Sequence, residues 1–132
     1  MLNSQDKYNL SKIRLEHAIN DLEAAKDLLN TEKFNSAANR AYYAVFHAIR
    51  ALLALDGIDR KHHSKVIGEF RRLYIKTGKL DIRLSDIVSE LFDIRNDSDY
   101  DDFYFIKKDK VIEQINNADY FIEQIKIYLN SL

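Results

Sequence analysis

The sequence contains no cysteine and no proline, and its three glycines lie at positions 57, 68 and 78. Without cysteine the chain cannot form a disulfide scaffold, offer a thiolate nucleophile or build a cysteine-based zinc site. Chains so poor in turn-forming residues seldom form β-sandwiches or β-barrels. The composition therefore predicts an all-α fold.

Long apolar runs, a large net charge and a secretion signal are also missing. No run approaches the roughly 20 apolar residues of a membrane-spanning helix. The N-terminal segment MLNSQDKYNL lacks the basic-then-apolar layout of a signal peptide. A net charge of −1 gives no overall field that would attract nucleic acid. We expect a cytoplasmic protein that does not contact a membrane.

The remaining composition is ordinary for a globular protein, with 46% hydrophobic and 31% charged residues among 132. These values predict one domain over residues 1–132. The charge is locally uneven, because residues 60–83 have a net charge of +6 and residues 86–102 one of −6. The two segments are either solvated faces or a basic surface for an acidic partner beside an acidic helix end.

Hydrophobic periodicity predicts five helices, at about residues 7–30, 34–55, 64–76, 84–100 and 108–130. The second helix has two apolar stripes, which predicts a wide buried face and a central position in the fold. Tyr8 belongs to the inward stripe of the first helix, and Ile112 to that of the last. Two long helices, a short one and two more predict a compact bundle with short loops.

Five polar residues share one further face of the second helix, spaced three and four apart: Ser36, Arg40, Tyr43, His47 and Arg50. This stripe is either the solvent side of an amphipathic helix or the wall of a groove or dimer interface. The adjacent His62 and His63 point in different directions on a helix and predict structural or surface roles rather than a metal site.

The end of the fourth helix holds the strongest candidate site. Arg95 and Asp99 are four residues apart and can pair, as are Asn96 and Tyr100. Arg95 continues an inward-facing line, so we expect a half-buried guanidinium that is either a structural ion pair or an anion clamp. The alternating acids from Asp97 onward do not form a calcium loop, because Lys108 stands where that loop requires glutamate. We expect no metal and no cofactor.

Three segments together are typical of one family. They are Arg95-Asn96 with Asp99-Tyr100, the segment NRAYYAVFHA at residues 39–48, and residues 63–70 between them. With these, the chain resembles the HEPN domain family over nearly its whole length. The resemblance implies an up-and-down four-helix bundle with an additional short helix, usually as a homodimer. Many members are encoded beside a minimal nucleotidyltransferase, and several such pairs are toxin–antitoxin modules.

Many HEPN proteins are metal-independent ribonucleases whose motif is an arginine followed, after four to six residues, by a histidine. Here Arg95-Asn96 fits the beginning of that motif, but no histidine follows His63 and Tyr100 stands five residues beyond Arg95. Tyrosine, with an unperturbed pKa near 10, does not exchange protons at pH 7 as histidine does. Five residues on a helix also separate two side chains by about 140°. The sequence therefore resembles the branch with an Arg-Asn and Asp-Tyr signature.

We therefore interpret the chain as a dimeric partner, or a substrate- or nucleotide-positioning subunit, of a minimal nucleotidyltransferase. Nucleotide or RNA would be its ligand. The predicted contact residues are Arg40, Tyr43, His47, Arg95, Asn96, Asp99 and Tyr100. Tyr100 or Tyr104 is a candidate for modification, since related pairs attach AMP to a tyrosine near this motif. The alternative is a metal-independent ribonuclease toxin that uses Arg95, Asn96 and Tyr100, with His47 a further candidate base.

Overall fold

A computed structural model describes residues 2–132, which form five α-helices and one π-helical turn. The α-helices are α1 (Ser4–Asn30), α2 (Phe34–Leu55), α3 (His63–Phe70), α4 (Ile82–Tyr100) and α5 (Lys108–Asn130). Four long helices make the bundle and α3 is the additional short one. No residue from 2 to 132 lies in a β-strand, so the all-α prediction is confirmed.

The central element is α2, which packs against each of the other four α-helices. Both of its apolar stripes are buried, and seven of its buried residues are alanines. Small side chains let neighbouring helix axes approach closely, so the wide face of α2 contacts several helices at once. The two-stripe pattern in the sequence therefore predicted this position correctly.

Side chains at the helix starts explain where two of the helices begin. The Asn3 side chain accepts a hydrogen bond from the backbone N–H of Asp6, so α1 begins at Ser4 rather than at the predicted residue 7. The Asp81 side chain accepts from the N–H of Arg83 at 2.8 Å, so α4 begins at Ile82. Both caps satisfy backbone donors that the helix itself leaves without a partner.

The third helix differs from its prediction as one α-helix over residues 64–76. Its α-helical part ends at Phe70, and Arg71–Ile75 forms the π-helical turn, with Lys76 N donating to Arg71 O at 2.8 Å. The Arg71 guanidinium donates to the Ser85 hydroxyl at 2.8 Å and also contacts Ser89. The π-helical turn therefore lies where the Arg71 side chain connects this part of the chain to α4.

The loop between α4 and α5 is tied to the start of α2 by Asn35. Its amide donates to the Tyr104 carbonyl at 2.9 Å, and its carbonyl accepts from the Ile106 N–H at 3.1 Å. One side chain therefore satisfies two backbone groups of a loop and fixes the direction in which the chain leaves α4.

Two residues predicted to face inward are exposed, and two others are buried instead. Tyr8 is 58% exposed and Ile112 is 37% exposed, whereas Phe121 and Gln114 are fully buried. Tyr8 lies on the first two turns of α1 and Ile112 at the edge of the α5 stripe, where no neighbouring helix covers them. None of the helices in residues 2–132 combines the length and apolar character that a membrane span requires.

Candidate functional site

Arg95 is the centre of the site, and α4 holds its side chain against α2. The side chain is 16% exposed, and its Nη2 donates to the Tyr43 hydroxyl at 3.3 Å. The guanidinium carbon lies 5.3 Å from the centre of the Tyr42 ring and 5.7 Å from that of Tyr43. Such cation–π contacts stabilise a cation that has lost part of its hydration. The predicted half-buried arginine is therefore present.

Asp99 is the ionic partner of Arg95, as their spacing on the helix predicts. Its Oδ2 lies 3.0 Å from Arg95 Nε, but the N–H does not point at the oxygen, so the contact is an ion pair without a hydrogen bond. Its Oδ1 accepts a hydrogen bond from the Asn39 amide at 3.3 Å. Asp99 therefore joins α4 to α2 as well as neutralising Arg95.

Arg40 extends this arrangement to α1. Its Nη1 lies 3.3 Å from Asp21 Oδ1, and its Nη2 donates to Asn39 Oδ1 at 3.0 Å. Its guanidinium also lies 5.0 Å from the centre of the Tyr43 ring. A continuous polar chain with alternating charge results: Asp21, Arg40, Asn39, Asp99, Arg95 and Tyr43. Each arginine already has a carboxylate partner, so an anionic ligand at either one must compete with it.

An open cleft of about 430 Å³ lies beside this polar chain, between α2 and α4. Six of its seven lining residues have polar side chains; the seven are Leu28, Asn35, Ser36, Asn39, Arg40, Ser98 and Asp99. The Ser98 hydroxyl is buried and has no hydrogen-bond partner in residues 2–132. The cleft thus offers amide, hydroxyl, guanidinium and carboxylate groups to a polar ligand.

His47 contacts α1 and makes neither a hydrogen bond nor an ion pair with Arg95. Its Nε2 lies 3.4 Å from Asp21 Oδ2, and its ring meets the edge of the His17 ring with 5.8 Å between centres. Burial is the main cause that lowers the pKa of His47. Arg50, His17 and Arg40 lower it further, whereas the charge of Asp21 opposes them. The polar stripe of α2 is thus partly a contact surface for α1.

Replacing His47 by glutamine is expected to reduce the loss of stability on acidification. The folded-state pKa of His47 lies below its ordinary value of 6.5, so the unfolded chain binds the proton more readily and stability falls as the pH drops through 6.5. Urea unfolding between pH 7.5 and about 5 measures this dependence. His62→Gln, which changes an exposed histidine, is the control; equal pH dependence of H47Q and the wild type would contradict the prediction.

The side chains of the remaining predicted site residues make no hydrogen bond or ion pair with that of Arg95. Asn96 is half-buried, and none of the residues from 2 to 132 hydrogen-bonds to its side chain. Tyr100 ends α4 and is 78% exposed, while Tyr104 is partly buried and packs against the core. The structure therefore unites Arg95 with Asp99, Tyr43 and Arg40, but it leaves Tyr100 on the surface.

Several site residues were absent from the sequence-based prediction. Asp21 and Asn39 complete the polar chain, and His63 approaches the Tyr42 and Tyr43 rings. Asn39 could have been found, since it precedes Arg40 and opens the segment that carries the resemblance. Asp21 and His63 come from other elements, and no spacing along the chain indicates their approach. No three His, Asp or Glu side chains within residues 2–132 form a group that could hold a metal ion.

Comparison with known proteins identifies the family. The model of the HEPN domain matches residues 11–128. The chain belongs to the HEPN domain family. It is 35% identical over 125 residues to "Putative toxin MJ0142" of Methanocaldococcus jannaschii, covering 95% of this chain and 84% of that protein. It is also 34% identical over 111 residues to a "UPF0332 protein" of Thermotoga maritima, covering 84% of each chain.

A second HEPN relative with a toxin name comes from the same archaeon. "Putative toxin MJ0605" of Methanocaldococcus jannaschii is 30% identical over 123 residues, covering 89% of this chain and 87% of that protein. The matched HEPN region, residues 11–128, spans the polar chain from Asp21 to Asp99. The resemblance drawn from the three sequence segments is thus confirmed over nearly the whole domain.

Proposed function

We propose that this HEPN protein is the homodimeric partner of a minimal nucleotidyltransferase in a toxin–antitoxin module, and that the transferase attaches AMP to Tyr100. Arg95 and Arg40 contact the phosphates of the incoming nucleotide, while Asn96 and Asp99 help to orient it. The observation that carries this proposal is the exposed side chain of Tyr100, which ends α4 directly after Asp99 of the Arg95–Asp99 pair.

The surface around Tyr100 is suited to a protein partner. Tyr100, Phe103 and Phe105 are 78%, 91% and 79% exposed, and they lie within six consecutive residues. Clustered exposed aromatic side chains are typical of protein–protein interfaces. Acids accompany them at positions 97, 99, 101 and 102, so a partner surface with basic groups would be complementary.

The same surface is poorly suited to RNA cleavage. The ionic partner of Arg95 on α4 is Asp99, and no histidine follows His63 in the sequence. The four carboxylates at positions 97–102 repel the many phosphates of an RNA backbone more strongly than the few phosphates of a single nucleotide. A partner role therefore explains the exposed aromatic residues and the acids together, whereas a nuclease role explains neither.

In the proposed transfer one bond to phosphorus forms and another breaks. The phenol oxygen of Tyr100 attacks the α-phosphorus of ATP, and the bond between that phosphorus and the bridging oxygen breaks. Pyrophosphate leaves, and a base of the transferase accepts the phenol proton. An exposed hydroxyl suits this step because the attacking oxygen must reach a nucleotide held by another protein. The toxin names of two relatives support the module, since modification of a toxin is one way to neutralise it.

The test is the intact mass of the protein after incubation with ATP and the nucleotidyltransferase encoded beside it. We expect the mass to increase by one adenylyl group, and to stay unchanged when either ATP or the transferase is left out. An unchanged mass in the complete reaction would contradict the proposal. RNA cleavage by the purified protein without metal, lost in Arg95→Ala, would contradict it as well and favour a ribonuclease toxin.

A further inference from the structure

His63 lies against the aromatic residues of α2, although it belongs to the first turn of α3. Its imidazole stacks on the Phe46 ring with 4.0 Å between centres and an angle of 15°. It also lies nearly parallel to the Tyr42 ring at 5.7 Å, and it meets the Tyr43 ring edge-on at 5.8 Å. Three aromatic contacts fix the plane of the imidazole, so the directions of its two nitrogens are defined.

The contact with Tyr42 determines which nitrogen carries the proton. The Tyr42 hydroxyl lies 2.6 Å from His63 Nδ1, and no other side chain or carbonyl among residues 2–132 accepts from that hydroxyl. Burial raises the pKa of Tyr42, so the hydroxyl stays protonated and donates a hydrogen bond to Nδ1. In the neutral imidazole only one nitrogen is a donor. His63 therefore presents Nε2–H as an outward donor and has no basic nitrogen left to offer.

Arg95 approaches the same two tyrosine rings from α4. Its Nε faces Asp99 and its Nη2 donates to the Tyr43 hydroxyl, but its Nη1 has no hydrogen-bond partner within residues 2–132. The Tyr43 hydroxyl accepts from Arg95 and keeps its own proton for another acceptor. Three hydrogen-bond donors therefore belong to side chains at the Tyr42 and Tyr43 rings: Arg95 Nη1, Tyr43 Oη–H and His63 Nε2–H.

Two cations lie near the His63 ring, and each has a carboxylate partner: Arg95 pairs with Asp99, and Arg50 pairs with Asp59. Burial contributes most to the lowered pKa of His63, and the charges of Arg95 on α4 and Arg50 on α2 lower it further. Burial disfavours any charged group, but the two arginine charges that disfavour an imidazolium cation favour an anion at the same place. A tetrahedral oxyanion has several acceptor oxygens, so it can accept hydrogen bonds from three different side chains.

We propose that Arg95 Nη1, Tyr43 Oη and His63 Nε2 bind one phosphate group, carried by a nucleotide or free in solution. The proposal deepens the proposed function, because it names the phosphate and adds His63 at the same site. In this arrangement His63 is a binding residue that donates a hydrogen bond, and it is not the base of a nuclease.

The first test is a titration of the whole protein, labelled with ¹⁵N, with inorganic phosphate and separately with AMP. We expect saturable shifts of the His63 ring signals with both probes, and an Nε2–H tautomer in the absence of ligand. Tighter binding of AMP would identify a nucleotide phosphate, whereas equal affinities would identify free phosphate. A ring that carries its proton on Nδ1, or no saturable response to either probe, would overturn the proposal.

Two matched variants of His63 separate binding from packing. The amide of glutamine can place an N–H near the position of Nε2, whereas that of asparagine reaches only the position of Nδ1. We expect His63→Asn to weaken binding roughly 10- to 100-fold, the effect of losing one hydrogen bond to a charged group, and His63→Gln to retain most of it. His62→Asn, on the exposed neighbour, should bind as the wild type does; equal losses in H63N and H63Q would contradict a donor role.

The outcomes remain distinct from those of the AMP-transfer experiment, because these titrations contain no transferase. Phosphate binding without AMP transfer would support the site and contradict the proposed function. AMP transfer to a protein that binds no phosphate would do the reverse. Far-UV circular dichroism of each variant confirms that the helices are intact, and the wild-type titration tests the site even where a variant fails to fold.

Discussion

If the proposed transfer of AMP takes place, Tyr100→Phe is expected to abolish it, because the substitution removes the phenol oxygen that would attack the nucleotide and changes little else. Tyr100 is 78% exposed, so no packing is lost with its hydroxyl. The expected loss is complete, since phenylalanine offers no nucleophile in place of the phenol. The measurement is the intact mass after reaction with ATP and the neighbouring nucleotidyltransferase.

The matched control for this experiment is Tyr104→Phe. Tyr104 is the second candidate for modification, but it is partly buried and packs against the core, and its backbone carbonyl is tied to Asn35. A transferase reaches such a hydroxyl less easily, so we expect Tyr104→Phe to be modified as the wild type is. Loss of AMP in Y104F with normal modification of Y100F would assign the modification to Tyr104 instead.

Arg95 and Asp99 illustrate the part of the site that could be predicted from the sequence. Residues four apart on a helix lie on one face, so their ion pair depends only on α4 forming where the periodicity places it. The five helices are local in the same sense, because an apolar stripe indicates a helix without knowledge of its neighbours. The ion pair and the number of helices were predicted correctly, whereas the third helix ends earlier than predicted and continues as a π-helical turn.

The rest of the site depends on contacts between elements that are distant in the chain. Asp21 meets Arg40 because α1 packs along α2, and His63 reaches Tyr42 because the loop after α2 returns α3 to that helix. Neither approach leaves a periodic signal in the sequence. Histidine in a loop gives no indication of its partner, so His63 was assigned only a structural or surface role.

Helical periodicity also gives the direction of a stripe more reliably than its edges. Ile112 was included in the buried face of α5 and is 37% exposed, whereas Phe121 was left out and is fully buried. A shift of one position rotates a side chain by about 100°, so residues at the edge of a stripe change face with small rotations of the helix. The position of the neighbouring helices decides which edge is covered.

Phe121→Ala is therefore expected to cause one of the largest losses of stability in the domain. The ring is fully buried and lies 5.7 Å from the ring of Phe70, so its removal leaves a cavity between α5 and α3. Replacing a buried phenylalanine by alanine costs about 3–5 kcal/mol, and a domain of this kind has a free energy of unfolding of about 5–15 kcal/mol. Urea unfolding followed by circular dichroism measures the change.

Phe103→Ala is the matched control, because it makes the same chemical change at a residue that is 91% exposed. We expect its free energy of unfolding to stay within about 0.5 kcal/mol of the wild-type value. The same variant removes part of the aromatic surface beside Tyr100, so it should lower the affinity for the transferase while the fold is intact. A small loss in F121A, equal to that in F103A, would contradict the core position of Phe121. The expected difference would show that the cost comes from burial of the ring and not from the chemical change itself.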